Sequence, residues 1–205
     1  MQITEVTPIN EMGKRDVYID GRYALTLSAE DVMAYSLRVG KEVSEAQWEE
    51  ILLANDVVKC RAKAYSLLSF GAQSRKTLGD KLRRASFEIS VVEKTLDQME
   101  ELGLVDDRAL AERYFEVMTR TKKWGKRKMY AEMRRRGIGE EIIAEMLERP
   151  IDESAMVLDK LQTKFRSRDL SDPKEKQKVI QSLVRAGFGF DAIRAALAEM
   201  EIETE

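Results

Sequence analysis

The chain contains no histidine among its 205 residues. Histidine is the commonest general acid or base in catalysis, it activates serine and cysteine nucleophiles, and it is a frequent zinc ligand. Its absence excludes Ser-His and Cys-His catalysis and every metal site that needs an imidazole. This absence makes catalysis less expected, and we predict no catalytic residue, no metal and no cofactor.

Cysteine and long apolar runs are scarce as well. The single cysteine, Cys60, cannot form an intramolecular disulfide, which agrees with a reducing compartment. No stretch approaches the about 18 consecutive apolar residues that cross a membrane. Residues 1–18 lack the basic region and apolar run of a secretory signal. These absences predict a cytoplasmic protein without a membrane partner.

Glycine and proline are few, at 11 and 3, whereas 35% of the residues are charged and 43% are hydrophobic. This composition favours charged helices around an apolar core. The charge is uneven along the chain. Residues 1–57 hold 5 basic and 11 acidic groups (net −6), residues 58–136 hold 20 and 11 (net +9), and residues 137–205 hold 10 and 15 (net −5). A basic middle between acidic ends hints at a polyanionic partner.

The first 57 residues have a pattern of their own. Apolar residues alternate over 17–19 and 23–27 around Asp20-Gly21, a pair that suits the positive φ angles of a type I′ turn. Residues 2–6 can add a third strand, and Ser28 precedes a short helix. We predict a small acidic α+β extension that contains a β-hairpin.

From residue 58 onward, apolar residues recur at three- and four-residue spacing, which predicts helices of no more than about five turns. Helix-start signals separate these segments. Ser90 with Glu93, like Ser44 with Gln47 upstream, has the spacing of a capping box. Asp172 before Pro173 combines an N-cap with proline at the first helical position.

Three stretches of the helical part resemble one another: "LRRASFEISVVEKTL" from 82, "MRRRGIGEEIIAEML" from 133 and "LVRAGFGFDAIRAAL" from 183. The matching apolar positions are Phe87, Ile138 and Phe188, then Val92, Ile143 and Ile193, then Leu96, Leu147 and Leu197. Three short helices cannot bury their apolar faces alone, so repeats of this kind stack on their neighbours. We predict a mainly α protein with three tandem three-helix repeats, 58–107, 108–151 and 152–205, that form an elongated curved array.

The repeat explains part of the sequence "MRRRGIGEE". Gly137 is predicted to end one helix in the left-handed conformation, and Ile138 follows as the apolar residue of that cap. In the first repeat Ser86 stands in the place of this glycine. The cap there must use another geometry or carry backbone strain.

Residues 119–136 are the strongest candidate for a functional surface, because they hold nine basic residues and one acidic residue. Such density neutralises phosphates, and Trp124 and Tyr130 can stack on bases. Alternatively, this is a solvated face in which Trp124 fills a gap between two helices, and the helix dipole accounts in part for Arg134 and Arg135. The predicted contact residues are Arg120, Lys122, Lys123, Lys126, Arg127, Lys128, Arg134 and Arg135.

The adjacent carboxylates of Asp106 and Asp107 are the other candidate site. They can form half of a metal or acid–base site. No acidic cluster or glycine-rich loop accompanies them in sequence, so an N-cap before the helix from Arg108 explains them better. An enzyme that uses these carboxylates remains an alternative.

Three motifs together resemble the RecX family of regulatory proteins: "SRKTLGDKLRRASF", "LGLVDDRALA" and "WGKRKMYAEMRRRGI". The chain departs from the family pattern at Val105, Leu110 and Ser86, and it carries residues 70–73 where members have arginines. The resemblance implies three-helix repeats and a non-enzymatic monomer. It implies binding to RecA recombinase filaments on DNA, with inhibition of their strand exchange, ATP hydrolysis and co-protease activities in DNA repair.

A basic middle close to the DNA phosphate backbone agrees with that role. The alternative from the residues alone is a stand-alone helical DNA- or RNA-binding protein that uses residues 119–136. The two functions differ in what binds tightly. A regulator binds filaments strongly and DNA weakly, whereas a stand-alone protein binds DNA in a strongly salt-dependent way.

Overall fold

The structure is a computed structural model that describes residues 1–203, with side chains through residue 200. The last two residues of the predicted third repeat lie outside the described residues. The chain forms two compact units. The first contains residues 1–67 and 82–97, and the second contains residues 68–81 and those from 98 onward.

Three strands and ten α-helices make up the described residues. The strands are β1 (Ile3–Val6), β2 (Lys14–Ile19) and β3 (Arg22–Ser28), and the helices are α1 (Ala29–Ala34), α2 (Glu45–Leu68), α3 (Arg75–Arg84), α4 (Ile89–Glu101), α5 (Asp107–Glu116), α6 (Lys126–Arg135), α7 (Glu140–Glu148), α8 (Glu153–Thr163), α9 (Pro173–Arg185) and α10 (Phe190–Glu203). A π-helical turn, Val117–Thr121, continues α5. The mainly helical class with an N-terminal sheet is confirmed.

The N-terminal sheet is antiparallel in the order β1-β2-β3. Asp20 and Gly21 join β2 to β3 with φ angles of 48° and 80°, so the predicted two-residue turn with positive φ at both positions is confirmed. Val17 and Leu25 pair across the sheet, and both are buried beneath α1. The alternating pattern therefore buries one face of the sheet in a core of its own.

Side-chain caps set most of the helix starts. Ser28 Oγ accepts from the backbone N–H of Asp31 at 3.0 Å, and Ser44 and Gln47 form the reciprocal bonds of a capping box. The capping box predicted at Ser90 is wrong, because α4 already begins at Ile89. The length limit is wrong as well, since α2 has 24 residues and continues through position 57. No glycine or proline in Glu45–Leu68 interrupts the helix.

The three repeat stretches end their helices in the same way. In each, the bulky residue after the cap donates its backbone N–H to the carbonyl oxygen five residues earlier: Phe87 to Leu82, Ile138 to Met133 and Phe188 to Leu183. Gly137 and Gly187 have φ angles of 81° and 94°, as a left-handed cap requires. The repeat is therefore present in the backbone as well as in the sequence.

Ser86 adopts the left-handed conformation too, with φ of 66°. Of the two outcomes expected there, the structure has the strained one. A side chain in this region costs about 1–2 kcal/mol, part of which glycine recovers because it has no Cβ. We predict that Ser86→Gly raises the unfolding free energy of the first compact unit by about 1 kcal/mol, measured by urea denaturation. Because Ser86 is exposed, no packing is lost; an unchanged or lowered unfolding free energy would contradict the strain.

Candidate partner-binding surface

Two backbone junctions hold the helical segments of the second compact unit together. At the first, the cap after α6 lies against the start of α3. The carbonyl oxygen of Arg136 accepts hydrogen bonds from Ser74 Oγ at 2.8 Å and Thr77 Oγ1 at 3.0 Å. A Cβ on Gly137 would lie 2.5 Å from Ser74 Oγ. Glycine is therefore required here by close approach as well as by its φ angle.

The second junction repeats this arrangement about fifty residues later. The cap after α9 lies against the start of α6, where the N–H of Gly125 donates to the carbonyl of Ala186 at 2.9 Å. The N–H of Arg127 donates to the carbonyl of Gly187 at 3.2 Å. A Cβ on Gly125 would lie 2.3 Å from the backbone of Gly187. The loop before α6 is thus fixed by backbone contacts.

The carboxylate pair belongs to the first junction. Asp106 caps its own helix by accepting from the N–H of Ala109 at 2.9 Å, whereas Asp107 accepts from the N–H of Arg75 at 2.8 Å, at the start of α3. Burial raises the pKa of Asp107 above its usual value, against the opposing effect of the Arg75 N–H. The predicted N-cap is correct for Asp106, and Asp107 caps a second helix 32 residues away.

Asp152 and Glu153 play the same two roles at the second junction. Asp152 caps α8 through the N–H of Ala155 at 2.9 Å, and Glu153 accepts from the N–H of Lys126 at 2.6 Å, at the start of α6. The sequence analysis missed this pair. Its signal was a second acidic dipeptide directly before a helix, in the place that Asp106 and Asp107 hold one repeat earlier.

Two of the predicted basic residues are engaged inside the fold. Lys126 Nζ donates to the carbonyl oxygen of Leu147 at 2.8 Å, near the end of α7. Lys123 Nζ lies 2.6 Å from the carboxylate of Asp159, and its backbone has a positive φ of 47°. These contacts tie both lysines to the fold, and the carboxylate of Asp159 neutralises the charge of Lys123.

The arginines at the end of α6 are paired as well. Arg135 donates two hydrogen bonds to the carboxylate of Glu132, at 2.8 Å and 2.7 Å, and Arg136 donates a third at 2.7 Å. Arg134 Nε lies 3.7 Å from Glu140. The hydrogen bond from Arg135, followed by the smaller contribution of Arg136, lowers the pKa of Glu132 to about 2.

This lowered pKa gives the second compact unit a pH dependence. A carboxylate whose pKa falls on folding stabilises the native state above its unfolded pKa and loses that contribution as the pH drops toward its folded pKa. We predict that the stability difference between the wild type and Glu132→Gln shrinks by about 1 kcal/mol between about pH 5 and pH 3, since exposure of Arg135 weakens the pair. Glu141→Gln, at an exposed site in α7, is the control for urea titrations at both pH values; parallel curves for wild type and Glu132→Gln would contradict the shift.

The other four predicted cations keep their charge available. Arg120, Lys122, Arg127 and Lys128 have no carboxylate partner among residues 1–200, whose side chains the structure describes. The ammonium groups of Lys122 and Lys128 lie 4.7 Å and 4.2 Å from the centroid of the Trp124 ring. Trp124 is half-buried against the core of the second repeat. It therefore fills a gap in the fold, as one alternative predicted, and also carries two cations.

Trp124 and its neighbours bring two further lysines to this surface from α8. Lys160 Nζ lies 3.3 Å from the carbonyl oxygen of Lys122, and Lys164 follows four residues later as the C-cap of α8. Both lysines lie in the third repeat, outside the basic stretch 119–136 from which the contact residues were predicted. The junctions, which fix the loop before α6, bring this part of α8 next to it.

Three-helix units joined through shared helix caps, with a cationic surface, define a helical repeat scaffold. Among the residues described, no three acidic or cysteine side chains are placed to hold a metal ion, and no helix is long and apolar enough to cross a membrane. Family models for the second and third three-helix domains of RecX match residues 106–147 and 152–197. The chain belongs to the RecX family.

Named relatives and solved structures agree with this assignment. The regulatory protein RecX of Bacillus licheniformis is 30% identical over 96% of this chain and 76% of its own length. That of Clostridioides difficile is 28% identical over 95% of both chains. A crystal structure of regulatory protein RecX matches with a TM-score of 0.71 at 24% identity, over 96% of this chain and 98% of the other. The structural match supports the fold, and these relatives are named as regulatory proteins.

Proposed function

We propose that this protein binds RecA recombinase filaments on DNA and inhibits their strand exchange, ATP hydrolysis and co-protease activities. It acts without catalysing a reaction, as a cytoplasmic monomer without a cofactor. Membership of a family of regulatory proteins supports this role. The observation that carries the contact with a DNA-bound partner is the group of four cations, Arg120, Lys122, Arg127 and Lys128, that no described carboxylate neutralises.

Electrostatics favours binding of a polyanion through the unpaired cations. Paired cations such as Arg135 already have their counter-charge, whereas an unpaired cation gains most from a polyanion that releases condensed counterions when it is bound. A filament on DNA offers phosphates to these four side chains. Its protein surface also offers contacts for the rest of the repeats. Binding to the filament is then stronger than binding to either kind of surface alone.

Co-sedimentation with recombinase filaments, with and without DNA and at two salt concentrations, tests the proposal. We expect the protein to sediment with DNA-bound filaments at both salt concentrations and to bind the same DNA weakly when the recombinase is absent. Equal binding to naked DNA and to filaments, lost at the higher salt concentration, would instead indicate a stand-alone nucleic-acid-binding protein. Failure to sediment with filaments under any condition would refute the regulatory role.

A further inference from the structure

Two lysines of the second repeat lie over one aromatic ring, and two lysines of the third repeat lie beside them, of which Lys164 has its ammonium group 5.2 Å from the Phe165 ring. Lys122 and Lys128 contact the ring of Trp124, Lys160 donates to the backbone carbonyl of Lys122, and Lys164 lies four residues beyond Lys160. We call this group the Trp124 lysine cluster. It joins the basic stretch of the second repeat to α8 of the third, and so includes residues that the proposed function does not use.

The cluster carries more positive charge than the surrounding residues neutralise. None of its four ammonium groups has a carboxylate partner among the side chains described through residue 200. The nearest acid on α8, Asp159, is paired with Lys123 at 2.6 Å. Burial, and after it the charge of Lys164, lowers the pKa of Lys160, with smaller effects from Lys123 and Lys128 and an opposing one from Asp159. Like charges therefore repel one another here, and a bound polyanion relieves the repulsion.

We infer that the Trp124 lysine cluster binds the phosphodiester backbone of nucleic acid, with Lys160 and Lys164 contributing phosphate contacts from α8. This inference takes from the proposed function only the presence of DNA near the basic surface. It adds the chemical group that the surface contacts. A shallow cavity of about 350 Å³ is lined by Arg120, by Lys123 and by Asp159, the acid that pairs with Lys123.

Phosphate fits the cluster better than other anions do. A lysine ammonium is a compact point charge with three donors, suited to a phosphate oxygen without demanding the planar geometry that arginine gives a carboxylate. A nucleic-acid strand carries about one charge per 3.4 Å, which is denser than the acids along a helix face with a pitch of about 5.4 Å. Two cations over one ring, with Lys160 against the neighbouring backbone and Lys164 four residues further on, match the denser partner.

The surroundings of the Trp124 ring argue against sequence-specific recognition of bases. Stacking needs an open aromatic face, and the Trp124 ring is half-buried and already holds two ammonium groups. Contacts to phosphate carry no sequence information. The cluster is thus expected to bind strands of different sequence equally well.

The test compares the wild type with the double variant Lys160→Gln/Lys164→Gln for binding to a fluorescent oligothymidylate, with no recombinase present. The slope of log K against log salt is negative, and each lost contact to a single strand reduces its magnitude by about 0.7. We therefore expect the magnitude to fall by about 1.4 for the pair. The matched control is Lys59→Gln/Lys63→Gln. It has the same charge change and the same spacing on an exposed helix, and we expect it to keep the wild-type slope.

Two probes separate phosphate from other ligands. An abasic strand of equal length should bind as tightly as the oligothymidylate, and polyglutamate of equal charge should compete poorly. A large loss of affinity for the abasic strand, or equal competition by polyglutamate, would overturn the inference. Unchanged slope in the Lys160/Lys164 variant, or an equal decrease in the control pair, would overturn it as well.

Lysine footprinting on the wild-type protein tests the same site without a variant, so its result does not depend on whether a variant folds. Excess oligothymidylate should slow reductive methylation of Lys160 and Lys164 and leave Lys59 and Lys63 unaffected; equal rates at all four would refute the site. Since recombinase is absent, this outcome is independent of the filament experiment. Phosphate binding without co-sedimentation would retain the cluster and reject the regulatory proposal.

Discussion

Replacing Gly187 by alanine is expected to lower the unfolding free energy of the second compact unit by about 2–5 kcal/mol. Two penalties combine at this position. The φ angle of 94° costs a residue with a Cβ about 1–2 kcal/mol. The methyl group would also lie 2.4 Å from the backbone nitrogen of Lys128 and 2.8 Å from the carbonyl oxygen of Gly125, an overpacking that costs about 1–3 kcal/mol.

Gly103 offers a matched control in the same compact unit. Its φ angle is 67°, and no atom lies within 4 Å of the place where a Cβ would stand. Gly103→Ala should therefore cost only the conformational penalty of about 1–2 kcal/mol. Urea denaturation followed by circular dichroism measures both variants. The excess loss in Gly187→Ala reports the close approach of the two repeats, and equal losses would contradict the junction.

The features that sequence predicted well are those that local chemistry determines. Asp20 and Gly21 sit between two alternating runs, and their turn depends on hardly anything outside the hairpin. Gly137 and Gly187 end helices in the left-handed conformation, and the residue after each glycine donates to a carbonyl oxygen five positions earlier. The matching positions of the repeat stretches then locate the corresponding cap in each repeat. Such signals are contained within a few residues, so tertiary packing has little opportunity to override them.

The junctions could not be predicted in this way, because their partners are far apart in the chain. Ser74 and Arg136 are separated by 62 residues, and Lys126 and Glu153 by 27. No periodicity relates a hydroxyl at one helix start to a carbonyl at another helix end. The junctions also explain Ser86. A side chain on Gly137 or Gly187 would collide with a neighbouring repeat, whereas Ser86 is exposed and carries only backbone strain.

The same limitation applies to the candidate surface. Counting charges in 119–136 gave Lys123 and Lys126 the same weight as Arg120 and Arg127. Which cation is available depends on Asp159, Leu147 and Glu132, whose positions follow from packing of the repeats. The sequence therefore predicted a basic surface, and the structure distinguishes its paired members from its unpaired ones.

Reversing the four unpaired cations tests whether this surface acts on the filament. The variant Arg120→Glu/Lys122→Glu/Arg127→Glu/Lys128→Glu should need about 10²-fold more protein for half-inhibition of DNA-dependent ATP hydrolysis by RecA. Four attractive contacts with phosphates become repulsive, and a salt-dependent affinity built on several such contacts falls by orders of magnitude. Lys123 and Lys126 are left intact because their partners, Asp159 and the Leu147 carbonyl, make them part of the fold.

A second quadruple variant supplies the control. Lys63, Arg166, Lys174 and Arg194 are exposed cations outside the surface, and their replacement by glutamate changes the net charge by the same amount. It should inhibit ATP hydrolysis as the wild type does. If both variants lose inhibition equally, the effect comes from net charge, and if neither does, the surface takes no part in inhibition. Only a loss confined to the first variant assigns the function to Arg120, Lys122, Arg127 and Lys128. Circular dichroism verifies that both variants remain helical.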